Sequence, residues 1–277
     1  MPELPEVETI VRTLRELVLH KQISSVTIKW PKIIKYPTVT EQFADALSGQ
    51  IILDINRRGK FLIFYTEIFA LVSHLRMEGK YLLTGKEEPV DKHTHVIFHF
   101  NDGTELRYRD VRKFGTMHLY LKGEEFDVLP LSQLGPEPLD DQFELEQFYE
   151  KLMRKKRNIK SVLLDQTVLA GLGNIYVDEA LFKARIHPER MAQSLAKEEV
   201  KVLYEQIIAT LSEAVEKGGS TVRTYVNSQG QMGMFQLEHF VYGRKDEPCK
   251  VCGTSLNRIV VGGRGTVFCP KCQKRNI

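Results

Sequence analysis

All four cysteines of the chain lie within its last 29 residues, where they form two Cys-x-x-Cys pairs. Cys249 and Cys252 make the first pair, Cys269 and Cys272 the second, and sixteen residues separate the pairs. Two such pairs on a hairpin can close a tetrahedral four-thiolate site. Two disulfides or redox-active thiols are the alternatives, but the absence of a secretory signal and of other cysteines favours one structural Zn²⁺. Four thiolates leave no open coordination position, so the metal is expected to fold the segment rather than to catalyse.

The segment around these cysteines is strongly basic. Between Gly243 and Ile277 there are eight lysine or arginine residues and two acids, a net charge of +6, whereas the whole chain carries +3. A small metal-bound hairpin with the basic excess is typical of an element that binds phosphates. A solvated tail kept for solubility is the alternative. The charge therefore indicates nucleic-acid binding and does not by itself indicate an enzyme.

Length and composition allow two domains with a full core, since 42% of the 277 residues are hydrophobic. Acidic residues Glu3, Glu6 and Glu8 occupy the place of the basic region of a signal peptide. No segment approaches the ~20 apolar residues that span a bilayer. We therefore expect a cytoplasmic, nucleoid-associated protein with no membrane contact.

The first 121 residues predict one helix followed by a β-rich region. From Pro5 to Val18 the apolar residues recur with helical spacing. Eight short segments rich in β-branched and aromatic residues then predict an antiparallel sandwich or barrel. They are Ser25–Trp30, Ile51–Asn56, Phe61–Tyr65, Ala70–His74, Lys80–Leu83, Val96–Asn101, Glu105–Arg109 and Thr116–Leu121, with a short helix expected over Glu41–Leu47.

The pattern becomes helical after a proline-containing linker over Gly123–Asp141. The predicted helices are Phe143–Lys156, Ile159–Leu164, Asn174–Ala184 and Ala196–Lys217, the last with Ser194 as a cap. Two glycines precede Asn174, and the backbone N–H groups at that helix start could bind a phosphate. Six cations between Lys151 and Lys160 favour the same interpretation, although a solvated charged helix would also carry them.

Helical periodicity is lost between Gly218 and Phe240. This segment contains several glycines, and a loop of such length is usually a lid or a binding loop. An interdomain linker is the alternative.

The amino terminus offers an unusual nucleophile. Met1 precedes Pro2, a small residue after which the initiator methionine is normally removed, which would leave the secondary amine of Pro2 as the chain terminus. Terminal amines have a pKa near ~8, well below that of lysine, so part of the population is neutral at pH 7. Such an amine can attack an aldehyde carbon, and Glu3 beside it can shuttle protons. On these residues alone, a processed terminus without a catalytic role is the default interpretation.

The chain resembles the bacterial formamidopyrimidine-DNA glycosylase family over essentially its whole length. The first nine residues, M-P-E-L-P-E-V-E-T, match the family, and further motifs follow in the family's order. They are Arg57–Lys60, His74–Met77, Arg107–Gly115, Leu134–Leu139, Gly173–Tyr176 and Val241–Arg244, which leads into the cysteines.

The resemblance implies an α+β fold in three segments. Residues 1–134 would form an N-terminal antiparallel β-sandwich behind the first helix and would carry the catalytic residues. Residues 135–240 would form a helical domain with a helix–two-turn–helix motif and a lesion-recognition loop at 218–240. Residues 241–277 would form the four-cysteine zinc-finger hairpin, and DNA would lie in the cleft between the two larger parts.

The resemblance also implies the chemistry: glycosylase and AP-lyase activity on oxidised purines, 8-oxoguanine and formamidopyrimidines, in double-stranded DNA. Pro2 resembles the Schiff-base nucleophile that attacks C1′, and Glu3 the carboxylate that serves this step. Lys60 matches the lysine of β-elimination, and Arg264 the arginine of δ-elimination and phosphate contact.

The remaining expected roles concern the DNA. The damaged nucleotide must leave the helix, and Met77, Arg112 and Phe114 resemble the residues that fill the space it leaves. Core packing is the alternative for Met77 and Phe114. Further phosphate or DNA contacts are implied for Lys60 and Arg264 and for His74, His93, Arg112, Lys155 and Asn174. Ser220, Thr221 and Thr224 are candidates to read the everted base through their backbone N–H groups.

Two other functions were weighed against this one. The endonuclease VIII branch, whose glycosylases prefer oxidised pyrimidines, shares Pro2, Glu3 and a finger. Its members typically begin M-P-E-G-P-E, whereas this chain has Leu4. A zinc-ribbon DNA-binding protein without catalysis would need neither Pro2 nor Lys60. We expect a monomer, because the sequence carries no signal for homo-oligomerisation.

Overall fold

The computed structural model describes residues 1–220 and 234–275. Within these ranges the chain forms two compact units. The first comprises Met1–Ser132, and the second comprises Gln133–Ser220 together with the described residues from Met234 onwards. No helix in the described ranges is long and apolar enough to cross a membrane.

The first unit begins with α1 (Leu4–Val18), which follows the predicted periodicity. Its apolar face, including Val7, Val11 and Leu14, is fully buried in the core of the unit. Pro5 lies in the first turn, where its missing N–H costs no hydrogen bond. The backbone N–H of Glu3 donates to the Glu6 carboxylate at 2.8 Å, and this bond fixes the residues before the helix.

Two sheets form a sandwich in the first unit, and the expected fold class is confirmed. One sheet has the order β1-β7-β8-β6 and the other β2-β9-β5-β4-β3. The strands are β1 (Ile23–Ile28), β2 (Ile34–Tyr36), β3 (Asp54–Arg58), β4 (Phe61–Tyr65), β5 (Phe69–His74), β6 (Lys80–Gly85), β7 (Thr94–Phe100), β8 (Thr104–Arg109) and β9 (Thr116–Leu121), with α2 (Thr40–Leu47) between β2 and β3.

The structure departs from the sequence-based prediction at two strands. β2 was not predicted, and it pairs in parallel with β9, so this sheet is not wholly antiparallel. The strand predicted from Ile51 begins only at Asp54, because Ile51 makes an isolated bridge to Gln22 and Leu53 is 37% exposed. A run of apolar residues was sufficient for the prediction, whereas strand pairing depends on the partner.

The second unit is helical and ends in a hairpin. It contains α3 (Leu145–Met153), α4 (Ile159–Leu163), α5 (Asn174–Lys183), α6 (Lys197–Glu216), β10 (Asn257–Val261) and β11 (Arg264–Phe268). The prediction that Ser194 caps α6 is wrong, since Ala196 is the capping position and the Ser194 hydroxyl donates to the carbonyl of Met191. α3 is shorter than predicted because Phe143 precedes the helix and packs its ring on Phe148 and Tyr204.

Candidate DNA-binding surfaces and metal centre

The four cysteines converge at one point in the second unit. Their Sγ atoms all lie within 4.8 Å of one another, with Cys252 and Cys269 at 3.5 Å and Cys249 and Cys272 at 4.0 Å, and none forms a disulfide. Four Zn–S bonds of ~2.3 Å in a tetrahedron place the sulfurs ~3.8 Å apart, which this cluster matches. The donor set therefore fits one structural Zn²⁺, as the sequence predicted.

The start of α1 lies beside the turn that carries Lys60. The Arg57 Nε donates to the Glu8 carboxylate at 3.2 Å, and α1 packs against β3 and β4. Gly59 adopts a φ of 57° in the tight turn between these strands, and Lys60 follows it with 6% of its surface exposed. Pro2 and Glu3 are buried at the start of the helix. Arg15 contacts Asp54 and Glu8 contacts Arg57, so α1 runs antiparallel to β3 and its first residues lie towards the turn of Lys60.

His74 is held next to this region as a neutral donor. It faces Phe61 across β5 and β4, with the two rings edge to face at a centroid distance of 4.5 Å. Burial, with smaller contributions from the charges of Arg76 and Lys60, lowers the pKa of His74 to about 3. The Arg76 N–H donates to its Nδ1 at 2.8 Å, so the proton of the neutral ring is on Nε2. That N–H can donate to a phosphate oxygen.

Three residues that are expected to fill the space left in the DNA helix lie on two neighbouring turns of the first unit. Phe114 is 52% exposed and Met77 is 36% exposed, so neither is a core residue. The exposed Arg112 guanidinium lies over the Phe114 ring, 4.7 Å from its centroid. An exposed apolar and aromatic pair beside a cation suits insertion between stacked bases. His93 lies on the approach to β7, where its carbonyl accepts from the N–H of Asp110.

In the second unit the structure brings Asn174 and Arg264 together. Asn174 begins α5, and its side-chain amide donates to the carbonyl of Gly265 at 2.9 Å. Arg264 immediately precedes that glycine at the start of β11 and is exposed. The start of α5 therefore lies beside the beginning of β11, where Arg264 is located.

The six cations between Lys151 and Lys160 differ in their environments. Lys160 is fully buried, and its Nζ donates to Asp178 at 2.6 Å and to the Thr266 hydroxyl at 2.7 Å. Lys151 donates to the carbonyl of Thr167, and Arg157 pairs with Asp165. Lys155 is half-buried, and among the described residues no ion pair engages its side chain.

The described residues of the 218–240 segment are anchored by side chains that were not predicted from the sequence. The Ser220 hydroxyl lies 3.0 Å from His239 Nε2 and 3.3 Å from the Tyr176 hydroxyl. The Glu179 carboxylate accepts the backbone N–H groups of Phe240, Val241 and Tyr242 at 2.8–2.9 Å. The sequence predicts that Glu179 lies on a helix, but neither its burial nor its partners could be predicted from it. Thr221 and Thr224 lie outside the described residues.

Comparison with known proteins agrees with this architecture. The model of the formamidopyrimidine-DNA glycosylase N-terminal domain matches residues 1–117, and that of the family's H2TH domain matches residues 134–226. The zinc finger found in FPG and IleRS matches residues 246–275.

Relatives and solved structures match nearly the whole chain. The formamidopyrimidine-DNA glycosylase of Bacillus licheniformis is 61% identical over 275 residues, which cover 99% of this chain and 100% of the relative. The Lactococcus lactis Fpg in complex with DNA containing an abasic site is 43% identical, with a TM-score of 0.92 and coverage of 99% and 100%. The wild-type form of that protein with DNA containing N7-benzyl-Fapy-dG gives a TM-score of 0.93 at 42% identity and the same coverage.

A β-sandwich followed by a helical unit and a four-thiolate finger is thus the architecture of a zinc-containing DNA repair glycosylase. The chain belongs to the formamidopyrimidine-DNA glycosylase family. It is a base-excision-repair glycosylase with AP-lyase activity, and the two other functions weighed from the sequence are not favoured.

Proposed function

We propose that Pro2, which becomes the chain terminus when Met1 is removed, excises oxidised purines by attack on C1′ of the damaged nucleotide. The amine nitrogen forms a bond to C1′, and the bond from C1′ to the base breaks. Ring opening of the sugar then leaves an iminium ion between Pro2 and C1′. This cation acidifies the C2′ proton, so loss of the 3′ phosphate and then of the 5′ phosphate becomes feasible. Water then hydrolyses the iminium, which regenerates the Pro2 amine and releases the sugar as an unsaturated aldehyde. The products are the free base, this aldehyde and a one-nucleotide gap bounded by phosphates.

Glu3 and Lys60 would move the protons of this sequence. Glu3 follows the nucleophile directly, and the bond from its backbone N–H to Glu6 restricts its position. Lys60 lies in the turn beside the start of α1 with little exposed surface. A lysine held near the iminium can act as acid or base in β-elimination. Arg264, on the finger hairpin, would assist δ-elimination and contact a phosphate.

Damaged double-stranded DNA would be held by donors from both units. His74 would offer its Nε2–H to a phosphate. Asn174 would offer the second N–H of its amide, beside the backbone N–H groups at the start of α5. His93 and Lys155 would add further contacts. Met77, Arg112 and Phe114 would occupy the space left by the everted nucleotide, with Arg112 reaching the opposite base. Ser220, with Thr221 and Thr224, would read the everted base through backbone N–H groups.

The placement of the first residues carries this proposal. Pro2 and Glu3 are buried at the start of α1, next to the turn of Lys60, within a unit that matches the family's N-terminal domain. A protein that only bound DNA would have no use for a terminal secondary amine beside two proton-transfer groups.

Borohydride trapping tests the proposal directly, because reduction of the iminium joins the protein covalently to DNA. We expect an adduct on duplexes that carry 8-oxoguanine opposite cytosine, and much less on thymine-glycol or undamaged duplexes. Pro2→Glu, which would retain Met1, should abolish the adduct and strand cleavage. Pro5→Ala is the matched control, since it alters a proline of the same helix start and should still form the adduct. Trapping by Pro2→Glu at the wild-type level would refute the proposal.

The remaining proposals concern organisation and location. We propose that residues 1–134, 135–240 and 241–277 act as catalytic sandwich, helical domain and zinc finger. We further propose a monomer that works in the cytoplasm on the nucleoid. The family match and the charge of the finger support this location.

A further inference from the structure

The turn that presents Arg112 and Phe114 is organised by one buried carboxylate. Asp110 has no exposed surface. Its Oδ1 accepts the backbone N–H of Arg112 at 3.0 Å, and its Oδ2 accepts those of Phe114 and Gly115 at 2.8 and 2.9 Å. Hydrogen bonds from backbone N–H groups to an ionised carboxylate are among the stronger ones in proteins. Three of them converge on the residue that precedes the turn.

The backbone of this turn needs that support. Lys113, between the two exposed side chains, has a φ of 58°, a left-handed conformation that non-glycine residues adopt at a cost. Its own N–H is 3.3 Å from the carbonyl of Asp110, at the weak end of hydrogen-bonding distance. The side-chain bonds to Asp110 therefore supply most of the hydrogen bonding that holds the conformation.

Asp110 is itself fixed to the sandwich. Its backbone N–H donates to the carbonyl of His93 at 3.0 Å, and its carbonyl lies 2.7 Å from Nε2 of the buried His95. The turn is thus connected through Asp110 to the rigid strand β7 rather than supported only by its exposed side chains.

The turn that carries Met77 rests on the same base. The fully buried Tyr108 hydroxyl lies so close to Gly79 and Gly115 that a Cβ would come within 2.3 Å of it at Gly79 and 1.7 Å at Gly115. The Met77 turn closes at Gly79, whose N–H donates to the carbonyl of Leu75 at 2.9 Å. Both exposed turns therefore contact one tyrosine, which sets their spacing.

We infer that Asp110 is a positioning residue for nucleotide eversion: its carboxylate holds the Arg112–Phe114 turn in the inserting conformation before DNA binds. Insertion must offset the unstacking of a base step, and a turn that is ordered in advance loses less entropy when it inserts. The inference rests on the proposed function, in which Arg112 and Phe114 fill the space that the everted nucleotide leaves in the DNA. Asp110 itself would touch neither the sugar nor the base.

Asp110→Asn is the sharpest test, because it keeps the shape but replaces one acceptor oxygen with an NH₂ group that faces backbone N–H donors. Single-turnover excision of 8-oxoguanine from an intact duplex should fall about tenfold to a hundredfold. Cleavage of a preformed abasic site in single-stranded DNA, which needs no eversion from a stack, should change less than about threefold. A 2-aminopurine next to the lesion should lose the fluorescence increase that reports unstacking by the wild-type protein.

Asp102→Asn is the matched control, because Asp102 caps the β7–β8 turn of the same unit by accepting the Thr104 N–H at 2.9 Å. It should leave both activities and the fluorescence signal at the wild-type level. Phe114→Ala should reproduce the pattern of Asp110→Asn.

The outcomes separate this inference from the proposed function. Wild-type fluorescence and excision in Asp110→Asn, with the wild-type protein trapped by borohydride, would overturn the inference alone. Equal losses on the duplex and on the single-stranded abasic site would also overturn it, because they would indicate general destabilisation. Failure of the wild-type protein to form an adduct would overturn both.

Discussion

Lys160→Met should destabilise the second unit far more than loss of a surface lysine would. The Lys160 Nζ is buried and donates to Asp178 Oδ1 at 2.6 Å, to the Thr266 hydroxyl at 2.7 Å and to the Gly265 carbonyl at 3.3 Å. These bonds join α4 and α5 to β11 of the finger hairpin. Methionine occupies a similar volume, so the substitution removes a charge and its hydrogen bonds with little loss of packing.

Removing one partner of a buried ion pair typically costs ~3–5 kcal/mol of unfolding free energy. Burial already raises the pKa of Asp178 to about 7, against the lowering effect of Lys160. Without Lys160 that pKa rises further, so the carboxyl is protonated at neutral pH instead of remaining as an unpaired buried charge. We therefore expect a loss near the lower end of the range, ~3 kcal/mol at pH 7.

The same reasoning gives a pH dependence. The unfolded chain releases the Asp178 proton near its ordinary pKa of ~4, so a raised folded pKa makes stability fall as pH rises toward that folded pKa. In the wild-type protein this loss is complete above about pH 7. In Lys160→Met it continues to higher pH. The stability difference between the two should therefore widen between about pH 7 and pH 9.

Denaturant unfolding followed by circular dichroism, with zinc release followed by a chromogenic chelator, measures both effects. Lys197→Met is the control, because Lys197 forms an exposed pair with Glu146 at 2.7 Å, and its loss should leave the unfolding midpoint unchanged. At pH 8, Lys160→Met combined with Asp178→Asn should be more stable than Lys160→Met alone. A wild-type midpoint for Lys160→Met, or no recovery in the double variant, would refute the reasoning.

Three further outcomes are expected. Removal of zinc by a strong chelator should unfold the β10–β11 hairpin and abolish DNA binding. The circular dichroism signal of the β-sandwich should remain. DNA binding by the metal-free protein would contradict this prediction. His74→Gln should weaken DNA binding but leave the pH profile of binding between pH 5 and 8 unchanged, because His74, with a pKa of about 3, is neutral over that range. A step near pH 6 in the binding of the wild-type protein that is absent from the variant would contradict this prediction. Gly115→Ala should lower the free energy of unfolding by ~1–3 kcal/mol, because the added Cβ would overlap the Tyr108 hydroxyl. Gly85→Ala is the control: a Cβ there would have no atom within 4 Å, and the free energy of unfolding should hardly change.

The elements that could be predicted from the sequence are those whose signal is local. The cysteine spacing predicted the metal cluster because two close pairs need only one turn each to converge. The periodicity from Pro5 to Val18 predicted α1, and its bounds agree closely. Motifs read in order predicted the family, which the comparisons confirm. Exposure of Met77 and Phe114 followed from the resemblance, whereas their hydrophobicity alone suggested core packing.

The tertiary structure alone decided the environment of the charged residues. Lys160 was one of six cations that favoured phosphate binding. It is buried by partners that could not be recognised locally, because Asp178 and Thr266 lie 18 and 106 residues further along the chain. In the sequence Asp110 was noted only as part of a family motif, and the fold places three backbone N–H groups around its carboxylate. β2 pairs with β9, the last strand of the sandwich, and no local pattern marks it. Residue types and local spacing determine which chemistry is available, but the burial of a charge depends on partners that only the folded chain brings near.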